Sequence, residues 1–521
     1  MKVNSTPSPL LFLVLNSLLF VTSVTIGADS EILKAERLIE EYNCSVCHGE
    51  SGESPNNEWP NLAGQKAEYL VNSLEYYRVG RRANILMSPV AELLNGKEIE
   101  LLANYYSQYV LPLPSKKSTE SDDSAIELLA STFCAMCHGP QGISIRDDWP
   151  NLAAQKSEYL ANQIRAYHSR ERVDDVIMNA SSHLLYENEI TAVANYYSQL
   201  PGCSYVNESD SDKLCHLVSN GFNEKITYFG EGIYTYSYST WSPIFVVTSE
   251  GAIVFDPINE EAAERVKEEL ASLGQKARYV ILTHAHGDHV GGAKVFDEEA
   301  IIIAHDKTKA QIEARRKMEL EVANRVGRTP NLEALPEVTF STSLTLEVGD
   351  KVIELESLED PTHSVGDLIT VKINNPSLLI LVDGVVPYGL AFMDFRATPI
   401  YTLLKNTRAL EEMDFEYFSN GHSMVLPKET VTAFREYVEF IVTTVEKSIA
   451  DGKTLQETQD SVVLPEEFDS WINKMPFPPM SEDEKHQALN VRLRFNVGGA
   501  YRQIKAYQNG EEVIDIHNMS L

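Results

Sequence analysis

Basic residues are scarce in this chain. Lys and Arg number 44 against 76 Asp and Glu, a formal net charge of −32 over 521 residues. Such an excess of negative charge excludes nucleic acid and an anionic membrane surface as partners. It suits either a cationic docking partner or simple solubility. Long apolar runs are also scarce. One stretch, from Leu10 to about Val24, follows a single Lys2 and precedes small residues at Gly27-Ala28. That is the layout of a secretory signal peptide over residues 1–28, with an uncleaved anchor as the alternative. No other stretch approaches the ~20 apolar residues needed to cross a bilayer, so no membrane span is expected once the signal is removed. The remainder then faces the exported side, in a bacterium the periplasm. Hydrophobic content of 43% leaves ample material for cores and excludes a disordered chain.

Cysteine is rarer still, with six in all. Four fall in two hexamers, CSVCHG (44–49) and CAMCHG (134–139). C-x-x-C followed at once by histidine is the attachment site of a c-type haem: the cysteines become thioethers and the histidine the proximal iron ligand. Cys44, Cys47 and His48 make one such site, and Cys134, Cys137 and His138 the other, so two covalent haem c groups are expected. The remaining pair, Cys203 and Cys215, most simply forms a disulfide in an oxidising compartment, two free thiols being the alternative. Closing so short a loop stabilises by about 3 kcal/mol in the chain-entropy model.

The hexamers belong to a longer duplication. WPNLAGQKAEYL (59–70) is matched by WPNLAAQKSEYL (149–160), and ANYYSQ (103–108) by ANYYSQ (194–199). The offset is 90 residues at the front and 91 at the back, a tandem repeat with one insertion. Helical periodicity follows each hexamer, as in Leu62, Tyr69, Leu70, Leu74 and Tyr77. Apart from the initiator, the first unit holds one methionine, Met87, the expected distal iron ligand. Met178 falls at the equivalent place in the second, where His168 and His183 compete without counterparts in the first unit. His/Met ligation closes the iron to oxygen and suits electron transfer. Over residues 35–200 the chain resembles the tandem dihaem cytochromes c of bacterial periplasms, of class I type. The resemblance implies a periplasmic redox partner, an oxidase or dehydrogenase.

Beyond Cys215 the pattern changes to strands interspersed with helices: SPIFVVTSEGAIVFD (242–256) reads as a hairpin, ARYVILT (277–283) as a buried strand. ARYVILT runs straight into HAHGDHVGG (284–292). Alternate residues of an extended segment share a side, so His284 and His286 can grip one metal ion, while Asp288 and His289 address a second. With His363, Asp383 and His422 this set resembles the metallo-beta-lactamase superfamily, whose αββα sandwich carries its metals at one edge. The resemblance implies that His284, His286 and His363 bind one ion, that Asp288, His289 and His422 bind the other, and that Asp383 bridges them. It implies further that Asp288 orients a metal-bound hydroxide. Nitrogen and oxygen donors without sulfur suit zinc first, and also iron. His305 matches nothing in the pattern.

The expected architecture is therefore multidomain: two all-α cytochrome c domains (29–111 and 125–201, linked by 112–124), a second linker (202–224), an αββα sandwich (225–425) and a helical extension (426–521) that covers the site or forms a dimer surface. Three functions remain open. The first is an electron carrier fused to a dinuclear-metal hydrolase for a small-molecule ester, lactone or thioester. The second is an iron-dependent, persulfide-type sulfur dioxygenase coupled to electron transfer, with iron at His284, His363 and Asp383. The third is an electron carrier with a non-catalytic docking domain.

Overall fold

The computed structural model describes residues 31–109, 111, 134–139, 141–144, 147–172, 174–183, 185–202, 225–238, 241–326, 330–358, 363–364, 366–387, 389–391, 395, 399–468, 470 and 482–511. The expected signal segment, the linker 112–124 and the Cys203–Cys215 pair lie outside these residues. Among the described residues no helix is long and apolar enough to cross a membrane.

The first helical unit holds Cys44–His48, Ala67–Val79, Met87–Leu93 and Gly96–Ser107; the second holds Ala135–His138, Ser157–His168, Val176–Ser182 and Glu187–Gln199. Each has its own small core, Leu70, Ile99, Leu102 and Tyr106 in one, Leu160, Ile190, Val193 and Tyr197 in the other. Such units bury little surface alone, which is why a porphyrin fits as the missing core.

The duplicated PNLA-x-QK blocks meet each other across a local pseudo-twofold. Asn61 N–H donates to Gln155 Oε1 at 2.7 Å and Gln155 Nε2 returns a bond to Asn61 O at 3.0 Å. The mirror pair repeats both distances, Asn151 N–H to Gln65 Oε1 and Gln65 Nε2 to Asn151 O. The Asn61 and Asn151 amides then donate to Ala154 O and Gly64 O, each at 2.9 Å. All four side chains are buried, so every one of these polar groups needs its partner.

The second half is a two-sheet sandwich. Strands β1 (Lys225–Gly230), β2 (Ile233–Ser237), β3 (Ile244–Thr248), β4 (Gly251–Phe255), β5 (Ala277–Leu282), β6 (Ile301–His305) and β7 (Val338–Phe340) lie side by side in chain order. The facing sheet runs β13 (Leu426–Pro427), β12 (Tyr417–Ser419), β11 (Ser377–Ile380), β10 (Ile369–Asn374), β9 (Lys351–Ser357) and β8 (Ser343–Val348). The expected hairpin at 242–256 is β3 and β4. Alternation sorts the side chains. Ile253, Phe255 and Ile281 point inward to meet Ile353, Val371 and Ile380 between the sheets. Val254, Val280 and Ile302 point outward under helix Glu260–Ser272, through Ala262, Val266 and Leu270. Burial on both faces explains why these strands read as unbroken apolar runs.

On the other outer face, Leu379 and Phe418 lie under helices Ile400–Glu412, Glu429–Ala450 and Glu482–Gln508. Phe434, Val438, Ile441 and Val442 of the extension, which was expected to cover the site or to form a dimer surface, are buried in this layer. The extension thus completes the sandwich. Its last helix has a second contact: Phe495 enters the core of the second helical unit, and Arg494 pairs with Glu189 at 2.5 Å while lying 4.8 Å over the Tyr186 ring.

Candidate metal centre and haem crevices

One cavity of about 390 Å³ runs through both helical units. Cys44, Cys47, His48 and Met87 line one end, and Cys134, Cys137, His138 and Met178 the other. His48 Nδ1 is 3.0 Å from Pro60 O, and His138 Nδ1 is 3.0 Å from Pro150 O. A carbonyl only accepts, so Nδ1 carries the proton and Nε2 keeps its lone pair for iron. Burial lowers both imidazoles, outweighing those carbonyls, His138 to about 4. Neutral imidazole is the form iron needs, and the four cysteines are free of disulfides. The residues fit a covalent haem at either end. His168 and His183 stack on each other with centroids 4.8 Å apart, and His168 Nδ1 is engaged by Ser182 O at 2.9 Å. Neither lines the cavity, whereas Met178 does.

In the sandwich, β5 ends at Leu282 and the chain turns through Gly287–Val290, delivering His284, His286, Asp288 and His289 to one edge. β11 ends just before Asp383, whose φ of 60° turns its carboxylate into the same space. His422 follows β12. Ligand atoms of His284, His286, His363 and Asp383 all lie within 4.8 Å of one another, and so do those of Asp288, His289 and His422. Asp383 spans the two groups. Its Oδ1 is 2.8 Å from His422 Nε2, and its Oδ2 is 3.0 Å from His363 Nε2 and 3.2 Å from His289 Nε2. All seven sequence-derived candidates therefore converge.

The donor chemistry fits cations. His363 Nε2 and His286 Nδ1 face each other at 3.0 Å, an approach of two nitrogens that needs a proton or an ion between them. The Nε2 atoms of His284 and His289 are buried with no partner in hydrogen-bonding geometry, which is costly unless a ligand is bound there. Electrostatics agree. Burial, reinforced by the other imidazoles, holds His284 well below its usual range, and burial with His363 pushes His286 down to about 3. Burial alone would raise Asp383, but His363, His422 and His289 outweigh it and hold the carboxylate ionised. His289 is raised despite burial, because Asp288 and Asp383 face it.

Supporting residues were not visible beforehand. Asp256, at the end of β4, accepts from Thr283 N–H at 2.8 Å and Thr283 Oγ1 at 2.6 Å, and its Oδ2 is 3.5 Å from His289 Nδ1. Asp367 accepts from Ala285 N–H at 2.8 Å and Thr308 Oγ1 at 3.0 Å, pinning the backbone between His284 and His286. Trp241 Nε1 donates to Asp288 Oδ2 at 3.3 Å, and its ring lies 5.8 Å from that of His422. His305 is engaged on both ring nitrogens, by Ser341 O and Lys307 N–H, away from the metal group.

Comparison with known proteins agrees with this division. The cytochrome c family matches residues 32–105 and the metallo-beta-lactamase superfamily residues 242–422. A cytochrome c4 of Thiocapsa roseopersicina is 32% identical over 167 residues, 30% of this chain and 86% of that protein. The chain is a cytochrome c fused to a metallo-beta-lactamase superfamily domain. A thiosulfate dehydrogenase electron acceptor of Thiomonas intermedia (strain K12) is 28% identical to this fusion protein over 174 residues, 31% of this chain and 80% of that one. A solved metallo-beta-lactamase from Pontibacter korlensis covers 42% of this chain and 99% of its own at 16% identity, with a TM-score of 0.35.

Proposed function

We propose that this is a periplasmic dihaem electron carrier whose sandwich domain is a dinuclear metallohydrolase for a small ester, lactone or thioester. The observation that carries the reading is the pair of complete donor groups joined through Asp383. His284, His286 and His363 would hold one ion, and Asp288, His289 and His422 the other. Two such ions supply activation of water and polarisation of a carbonyl oxygen. The chain's own residues do the rest. Asp288, ionised and steadied by the Trp241 indole N–H, orients the attacking water and takes up its proton. Asp383 and the imidazoles fix the spacing of the pair. Water adds across the acyl bond: the acyl carbon gains oxygen, and the leaving alcohol or thiol gains the proton. Fusion to an electron carrier keeps hydrolysis close to the oxidation that makes the lactone or ester.

The test is hydrolysis of an ester, lactone and thioester panel by the full protein, with metal content measured on the same sample. Turnover that disappears in Asp288→Ala while the haem spectra persist supports the reading; turnover unchanged in that variant removes it.

One observation favours a second reading, in which the site holds redox-active iron and oxidises a reduced sulfur compound. The second cytochrome unit packs against the sandwich through Trp149, an arrangement hydrolysis has no use for. The name of the Thiomonas relative supports sulfur chemistry for the cytochrome half. Oxygen uptake with a persulfide by iron-loaded protein tests it.

A further inference from the structure

Two tryptophans, Trp59 and Trp149, occupy equivalent places in the repeat, and both line the haem cavity. Trp149, unlike Trp59, also packs against the apolar cluster of the sandwich that contains Tyr238, Trp241, Ile258 and Val290. Its neighbours Ser144, Asp147 and Asp148 line one cleft of about 550 Å³ together with Tyr238, Ile258, Gly287 and Gly291, so the loop of the second haem crevice and the loop that bears the metal donors share this cleft. From the cluster the contacts continue to the site. Tyr238 and Trp241 exchange backbone bonds at 2.9 Å each way, and Trp241 reaches Asp288 and His422 as described above. The far side is anchored too, by Phe495 and by the Arg494–Glu189 pair.

We propose that Trp149 is the junction through which electrons pass between the second haem and the metal centre, with Trp241 as the last aromatic group before the metal donors. Tunnelling weakens steeply with distance and with gaps, and here Trp149 of the haem crevice packs on the apolar cluster whose member Trp241 reaches the metal donors. The proposal rests on the second reading, a redox-active ion at the His/Asp group. The bookkeeping is one electron: ferrous haem becomes ferric as a ferric ion in the sandwich becomes ferrous, or the reverse, with no bond made or broken.

The experiment uses the full chain, anaerobic, with both haems oxidised and ferric iron in the sandwich, and a parallel zinc-loaded sample. A laser flash generates flavin semiquinone, which delivers single electrons to the haems, and haem absorbance is followed. The expected result in iron-loaded protein is a second phase, independent of protein concentration, in which haem reoxidises as the iron is reduced. The zinc sample lacks it. Trp149→Leu slows that phase severalfold, while Trp149→Phe, which keeps a ring against the cluster, retains most of it. Haem spectra and metal content unchanged from wild type show that the variants are folded. A second phase as fast in Trp149→Leu as in wild type overturns the role of Trp149. Its absence from wild type that does hold iron overturns the coupling. Failure to take up iron at all defeats the second reading itself, a separate outcome seen in elemental analysis.

Discussion

Replacing Gln65 by alanine removes one half of the reciprocal clasp between the two helical units. Asn151 then loses the acceptor of its N–H at 2.7 Å and the donor to its C=O at 3.0 Å, both from one side chain. Gln65 and Asn151 are 6% and 7% exposed, so neither group has ready access to water. Each buried polar group left unpaired costs about 1–3 kcal/mol, and two give about 2–6 kcal/mol, nearer the lower end if water enters the gap. The chain has several cores, so a single two-state transition is not expected. The assay is a guanidinium titration of the full protein followed by haem absorbance, with far-ultraviolet dichroism reporting the sandwich alongside. Gln65→Ala should lower the haem-monitored midpoint and leave the sandwich transition in place. Gln155→Ala should cost a similar amount, since Asn61 loses the same two bonds at the same distances. The double variant should cost less than the sum, because both act on one interface. Gln65→Glu offers a finer check. Its carboxylate can accept from Asn151 N–H but cannot donate to Asn151 O, so stability should recover as pH falls and the carboxyl gains a proton. A haem-monitored midpoint unmoved in Gln65→Ala would refute the reasoning.

Other expectations follow from the same contacts. Met87→Ala and Met178→Ala should each abolish the His/Met signature of one haem, seen as partial loss of the far-red sulfur-to-iron band in the oxidised spectrum; an intact band in both would remove these methionines as ligands. Asp256→Asn keeps the shape but weakens the support of His289 and Thr283, so metal affinity should fall about 10–100-fold, as for other outer residues at metal sites, measured by competition with a chelator. Arg494→Ala breaks a largely buried pair with Glu189 and should make the Glu187–Gln199 region exchange amide hydrogen faster, by an opening cost reduced about 1–3 kcal/mol. Unchanged exchange there would show that the last helix does not hold the second unit.

How much of this was legible in the sequence depended on whether the chemistry lay along the chain or across it. C-x-x-C-H and H-x-H-x-D-H are contiguous, so the candidate haem sites and four metal candidates could be read directly. His363, Asp383 and His422 are single residues at strand ends and became candidates only through resemblance. Asp256 looked like any strand-ending aspartate; its tie to Thr283 depends on β4 and β5 running side by side, which sequence spacing does not disclose. The PNLA-x-QK blocks were plain as duplication, yet their use was hidden. Each copy's glutamine serves the other copy's asparagine, a reciprocity that exists only after docking. The last helix shows the same limit, since Phe495 answers to a different domain from its neighbours Leu493 and Val497.

The most direct measurement is elemental analysis of the full protein, purified without added metal, compared with His284→Ala. Beyond the haem iron, about two ions per chain are expected in the parent, as for dinuclear sites of this donor chemistry, and a clear loss in the variant. An equal non-haem metal content in both proteins, or none in either at saturating zinc or iron, would contradict the claim that the seven converging side chains form a metal centre.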